Sequence, residues 1–245
     1  MVQTGSMSVS TESADLAALR QDVALANRVV HRVGLVSAFG HVSARIPGTP
    51  TFLIPTRASP ALADPDGLLV LDLDGNRRSG AGTPNTEFWI HARIYAARPD
   101  VGAVAHVHPP ACVALGQIGQ TVRVLHNSGA IFSDGVSVFE RPGLIRSREL
   151  ADEVAATLGP RRGMLLRGHG ANLADSDVRR VVVVACFLEE AAELQLRALA
   201  AAGGDPARLR PYTDAEAARL RQELDNPGPM ERAWEYYAAL ATGRV

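Results

Sequence analysis

The sequence predicts a single α/β domain of layered architecture. Three observations carry this: short apolar strands cluster in the middle of the chain, helical periodicity occupies both ends and the intervals between, and no internal repeat or low-complexity linker interrupts it. At 245 residues the chain is long for one domain and short for two. That length sustains a core without disulfides or a structural metal. Apolar residues at 47% and charged residues at 21% are ordinary for a globular protein.

Residues 1–12 have a disordered composition, so the domain is expected to span 13–245. Ser13 is the expected cap of a first helix, which carries Leu16, Leu19, Val23, Ala26 and Val30 on one face and ends at Gly34. Short strands are expected at His41–Arg45, Thr51–Ile54 and Leu68–Asp72, the last before the turn Asp74-Gly75-Asn76. Thr86 is placed to cap a helix over Glu87–Ala97, which stops at Arg98-Pro99 because proline disfavours a helical residue before it. Val101–Val107 reads as a buried strand and Cys112–Leu115 as a helical turn. Further strands are expected at Val122–Leu125, at Ile131 and at Val136–Phe139, followed by a helix over Arg148–Leu158. Met164–Leu166 is a strand, His169 sits in a glycine-rich turn, and Ala171–Leu173 continues a hairpin. Asp175 or Ser176 caps a long apolar helix to about Ala202, expected to be central and packed on both sides. Helices at Asp214–Leu224 and Glu231–Leu240 flank a Pro/Gly break.

Charge and composition narrow the function. Net charge is −1, with acids and bases interspersed, so no basic stripe offers a nucleic-acid footprint. Cys112 and Cys186 lie in apolar segments and read as buried free thiols, not a disulfide framework. The start, MVQTGSMSVSTES, is polar and has no apolar signal core. The longest apolar run, Val181–Leu188, is far too short to span a bilayer. A cytoplasmic protein with neither nucleic acid nor membrane as partner is expected.

The chemistry concentrates in Ala105-His106-Val107-His108-Pro109-Pro110. Side chains alternate along a strand, so His106 and His108 project from one face and can reach one cation. Taken alone, the pair also fits two histidines exposed at a strand end. His169, between Gly168 and Gly170 straight after a buried strand, has room for close approach of backbone and ligand. Three histidines that leave a coordination position open match a catalytic site, not a closed structural one. With no thiolate in the set, imidazoles suit Zn, Mn, Fe or Co, and the residues do not choose among them. Glu87, at the start of the helix leading into the His106 strand, is either a fourth ligand or general base, or simply a carboxylate favoured by the helix dipole.

These residues carry a family resemblance. Asn85-Thr86-Glu87, His91, the run Ile94-Tyr95-Ala96-Ala97-Arg98-Pro99-Asp100, Ala105-His106-Val107-His108-Pro109 and Gly168-His169-Gly170 together resemble the class II aldolase/adducin family. Gly40-His41-Val42-Ser43-Ala44-Arg45 and Leu71-Asp72-Leu73-Asp74-Gly75 fit it too, so the likeness runs from about Leu16 to Ala202. It implies a three-layer α/β/α sandwich around a mixed, largely antiparallel central sheet. It also implies a homotetramer with metal sites near subunit interfaces. In the family's sugar-phosphate aldolases three histidines hold zinc and a glutamate leaves the metal to act as acid/base. By resemblance those roles fall on His106, His108, His169 and Glu87. Adducin-like relatives lose the ligands and act as scaffolds; this chain keeps them, which implies an enzyme.

Departures from the aldolase pattern bear on the substrate. Where phosphate-cleaving members show Gly-Asn-x-Ser, a Thr-Pro-Ser-Gly turn and paired serines, this chain has Gly40-His41-Val42-Ser43, Pro55-Thr56-Arg57-Ala58 and Asn85-Thr86. Arg57 brings a guanidinium fork suited to a planar carboxylate. Arg57-Ala58-Ser59-Pro60-Ala61-Leu62 and Ala233-Trp234-Glu235-Tyr236-Tyr237 are similar to a branch of metal-dependent decarboxylases of hydroxylated aromatic dicarboxylates. The expected function is therefore a metal-dependent carbon–carbon lyase, decarboxylase before aldolase, acting on a small carboxylate. Arg57, His41, Ser43 and Thr86 are its expected substrate contacts. His126 is placed to face the pocket, and Tyr236 or Tyr237 to reach a neighbouring subunit's site. His91, one turn after Glu87, either orients it or lies on the helix surface, and His31 is a cation for the first helix's C-terminus.

Overall fold

A computed structural model describes residues 6–245. Helix α1 spans Ser6–Arg32, so Ser13, the expected cap, lies within it, and residues 6–12 belong to the helix, not to a tail. Residues 1–5 of the expected tail lie outside the described residues. Once the apolar segment from Leu16 nucleates, extension needs only one backbone bond per added residue, which is why a weak helix former such as serine does not stop it. The helix ends as expected: Gly34 takes φ of 81°, and the Leu35 N–H donates to the Val30 carbonyl at 3.0 Å.

Strands β1 (His41–Arg45), β2 (Thr51–Ile54), β3 (Leu69–Asp72) and β4 (Arg77–Ser79) follow, then α2 (Phe88–Ala97), β5 (Ala103–Val107) and α3 (Pro110–Gln117). Next come β6 (Val136–Phe139), α4 (Arg148–Leu158), β7 (Gly163–Leu166), β8 (Gly170–Asp175), α5 (Val178–Ala201), α6 (Asp214–Leu224) and α7 (Pro227–Ala241). The strands form one sheet in the order β4-β3-β2-β1-β5-β8-β7-β6. Every pairing is antiparallel except β6 with β7.

Each face of the sheet has its own core, as period-two alternation requires. Val42, Ala44, Ala105 and Val107 point to one side and meet Val29 of α1, Val182 of α5 and Trp234 of α7. Val104, Phe52 and Leu166 point to the other and meet Ile90 and Ile94 of α2 and Val154 and Leu158 of α4. Helices thus cover both faces, and the α/β/α sandwich is the observed architecture. Val181–Cys186 are all buried, so the first half of α5 is packed all round as its apolar sequence predicts, whereas the second half exposes one side, Leu194 included.

Several local expectations fail for identifiable reasons. Val122–Leu125 is not a strand: its backbone bonds go to the buried Gln195 side chain (Arg123 N–H to Oε1, 2.7 Å) and to the Tyr212 N–H (2.8 Å), instead of a neighbouring strand. Ile131 lies in a 3₁₀ turn, Ser128–Phe132. Thr86 does not cap α2; Glu87 holds that position without a side-chain cap bond. Asp177 caps α5, accepting from the Arg179 and Arg180 N–H groups, whereas Asp175 ends β8. The Pro/Gly break opens α7, because proline suits a first helical turn.

Candidate active site

The register of three strands builds the site's floor. His41 of β1 lies opposite His106 of β5, which lies opposite Asn172 of β8, so the three side chains form a row on the α2 face. His106 Nδ1 donates to Asn172 Oδ1 at 2.7 Å, leaving the Nε2 lone pair free. His108 follows β5, and its backbone N–H is tied to the Leu35 carbonyl at 2.9 Å. Glu189 of α5 holds the next turn by accepting from the Ala111 and Cys112 N–H groups at 2.8 and 3.0 Å. That substitutes for a local cap, which Pro109 and Pro110 cannot supply. His169 comes from the β7–β8 turn, where Gly168 takes φ of 70° and a Cβ on Gly170 would lie 2.2 Å from the Val107 carbonyl.

Ligand nitrogens of His106, His108 and His169 lie within 4.8 Å of one another. Burial, reinforced by the neighbouring histidines, holds His106 well below the usual imidazole range. Burial and then His169 bring His108 down to about 4. His106 and His108 are therefore neutral, and their Nε2 atoms converge to 3.1 Å. A divalent cation seated among the three rings would take these converging nitrogens as ligands. The outward Nδ1–H of His106 is held by the Asn172 amide oxygen, as is usual for a metal-bound histidine, whereas His169 Nδ1 is buried without a hydrogen-bond partner. The donor set fits a metal.

Glu87 completes the cluster. Its Oε2 stands 3.7 Å from both His106 Nε2 and His169 Nε2, and its Oε1 accepts the Ile145 N–H at 2.8 Å. Above it opens a pocket of about 420 Å³, and Arg57 and Thr86 are among the residues that line it. Phe39, Leu144 and Arg146 also line it, and sequence reasoning missed all three. No periodic pattern or motif marks the loop that carries Leu144 and Arg146; only its fold-back against Glu87 brings it here.

Other candidates lie elsewhere. His41 is buried behind the pocket wall, its Nδ1 within 2.6 Å of His91 Nε2. Ser43 spends its hydroxyl on His91 Nδ1 at 2.6 Å and Tyr95 OH at 2.8 Å, so it supports His41 without lining the pocket. His91 is fully buried in this chain of bonds; it is neither a surface residue nor Glu87's partner. His126 lies against Gly129 beside α5, on the other side of the sheet. Tyr236 is 57% exposed in an apolar groove with Phe187 and Ala233. Tyr237 donates instead to Glu190 at 2.8 Å. Both cysteines are buried and free. Among the described residues no helix is long and apolar enough to cross a membrane.

Residues 21–196 match the class II aldolase and adducin N-terminal domain, and the chain belongs to that family. It is 32% identical to the 3,4-dihydroxyphthalate decarboxylase of Arthrobacter keyseri, over 91% of this chain and 94% of that one. With the enzyme of the same name from Terrabacter sp. (strain DBF63) the identity is 35%, over 80% and 87%. Among solved structures, the L-fuculose 1-phosphate aldolase of Glaciozyma antarctica PI12 superposes with a TM-score of 0.81 at 21% identity, covering 95% of this chain and 92% of that one. Sugar-phosphate aldolases also match in sequence, over shorter stretches. The chain is an enzyme of the lyase class. All 25 of its basic residues other than histidine are arginine, so Schiff-base cleavage through a lysine is closed to it.

Proposed function

We propose that this chain is a metal-dependent decarboxylase of a hydroxylated aromatic dicarboxylate. The observation that carries the reading is an arginine-walled pocket directly above the three histidines, where Glu87 is the single acid. The full-length likeness to dihydroxyphthalate decarboxylases supports it. A divalent cation, zinc by family and with Mn, Fe or Co equally suited to imidazoles, supplies Lewis-acid stabilisation of negative charge.

The residues do the rest. Arg57 binds a carboxylate through its fork, and Phe39 and Leu144 pack against the ring faces. When the ring–carboxylate bond breaks, its electron pair stays on the ring carbon and carbon dioxide departs. Glu87 Oε2 delivers a proton to that carbon and regains one from solvent, which balances the step. Thr86 donates to a polar substituent from the pocket wall. Behind it, the His41–His91–Ser43–Tyr95 chain keeps the wall rigid.

The test is carbon dioxide release from 3,4-dihydroxyphthalate, run beside aldol cleavage of a sugar phosphate. Cleavage of the sugar phosphate with no carbon dioxide from any ortho-hydroxy carboxylate would establish the second reading, an aldolase, which the same histidines and Glu87 can serve. Charge-assisted hydrogen bonds contribute about 1.5–3 kcal/mol, so Arg57→Ala should lower kcat/KM about ten- to a hundredfold or more. Arg57→Lys should recover little, because an ammonium lacks the fork.

The same reading includes a homotetramer whose pockets borrow Tyr236 from a neighbour. The exposure of Tyr236 (57%) and Leu194 (39%) on the α5/α7 side supports it. Light scattering should report four times the 26.0 kDa chain mass. A fully active monomer at assay concentration would dispose of the shared pocket.

A further inference from the structure

Two arginines line the pocket, and among the described residues neither makes an ion pair. Arg146 differs in this from its neighbours along the same stretch of chain. Arg141 pairs with Glu153 at 2.7 Å, and Arg148 pairs with Asp74 at 2.9 Å. Arg146 alone of the three is turned to the pocket, and its loop is clasped there by the Ile145 N–H on Glu87. Two guanidiniums and a divalent cation face one carboxylate, Glu87, so the pocket carries a surplus of positive charge. A monocarboxylate leaves that surplus standing, whereas a dicarboxylate offers each guanidinium a planar partner.

We propose that Arg146 is a specificity residue that binds the second carboxylate of an aromatic ortho-dicarboxylate, Arg57 binding the first. The aromatic frame rests on the decarboxylase reading; the two-carboxylate requirement rests on the arginine pair alone. Phe39 and Leu144 are 70% and 47% exposed at the mouth, and they provide the apolar faces between which a flat ring presents both carboxylates.

The test uses phthalate and benzoate, which differ by one carboxylate and have no hydroxyl. Isothermal titration measures their binding to the metal-loaded protein, without any need for turnover. Wild-type protein should bind phthalate at least about tenfold more tightly than benzoate. Arg146→Ala should bring phthalate down to the benzoate level and leave benzoate unchanged, and Arg146→Lys should restore little. The proposal is overturned if wild-type protein does not prefer phthalate. It is also overturned if Arg146→Ala leaves phthalate binding as it was, or weakens both ligands equally. Failure of the decarboxylase reading looks different: the predicted binding pattern without carbon dioxide release from 3,4-dihydroxyphthalate would defeat that reading and leave Arg146 in its role.

Discussion

His108→Ala should lose most of the bound metal and nearly all turnover. His108 Nε2 stands 3.1 Å from His106 Nε2. Removal of a residue that only orients a ligand typically weakens metal binding about 10–100-fold, so loss of the ligand itself should exceed that range. The fold should persist, because His108 lies beyond the end of β5 and is half-buried, with its backbone still tied to Leu35. Elemental analysis of the purified variant, with a circular dichroism melt beside it, separates metal loss from unfolding. Full metal occupancy with wild-type turnover would remove His108 from the ligand set.

Glu87→Gln should leave metal content close to wild type and reduce kcat about 10²–10⁴-fold, the range a positioned acid/base contributes. The amide oxygen still accepts the Ile145 N–H, so the loop keeps its anchor. What is lost is the proton at the second oxygen, which stands 3.7 Å from His106 and His169. On the proposed reading the arginines hold the substrate, so KM should move far less than kcat. A kcat within threefold of wild type would show that some other group handles the proton. Glu87→Ala, which also frees the Ile145 N–H, should be the more severe change.

Much of the fold was legible because its signals are local. The period of Leu150, Val154 and Leu158 marks α4, and the unbroken apolar run before His106 marks β5. The histidine cluster was legible for a related reason: His106 and His108 sit two apart at the end of one strand, and His169 is flanked by glycines, one of which would put a Cβ 2.2 Å from the Val107 carbonyl oxygen if given a side chain. The misses share a different cause. β4 is three exposed residues with no apolar alternation to betray it. Val122–Leu125 has strand-like composition, yet Gln195, 72 positions away from Arg123, answers its backbone. Ser43 faces inward, not to the pocket, because α2 packs His91 and Tyr95 over it. Arg146 enters through a contact between Ile145 and Glu87, 58 residues apart. Long-range contacts of this kind leave no mark on either segment alone.

The clasp between Ile145 and Glu87 has a consequence for how such an enzyme changes over generations. One carboxylate holds the loop with one oxygen and turns the other to the histidines. A mutation that reshapes the loop to admit a new substrate therefore also disturbs the acid/base group. Novelty in that segment arrives with a handicap in speed, and lineages that explore it need a compensating change near Glu87. Arg57 stands on the connection between β2 and β3, and its backbone N–H bonds to Thr83, not to Glu87. Substitution there is free of that linkage, so diversification of substrate range should proceed more readily on the Arg57 side of the pocket than on the Arg146 side.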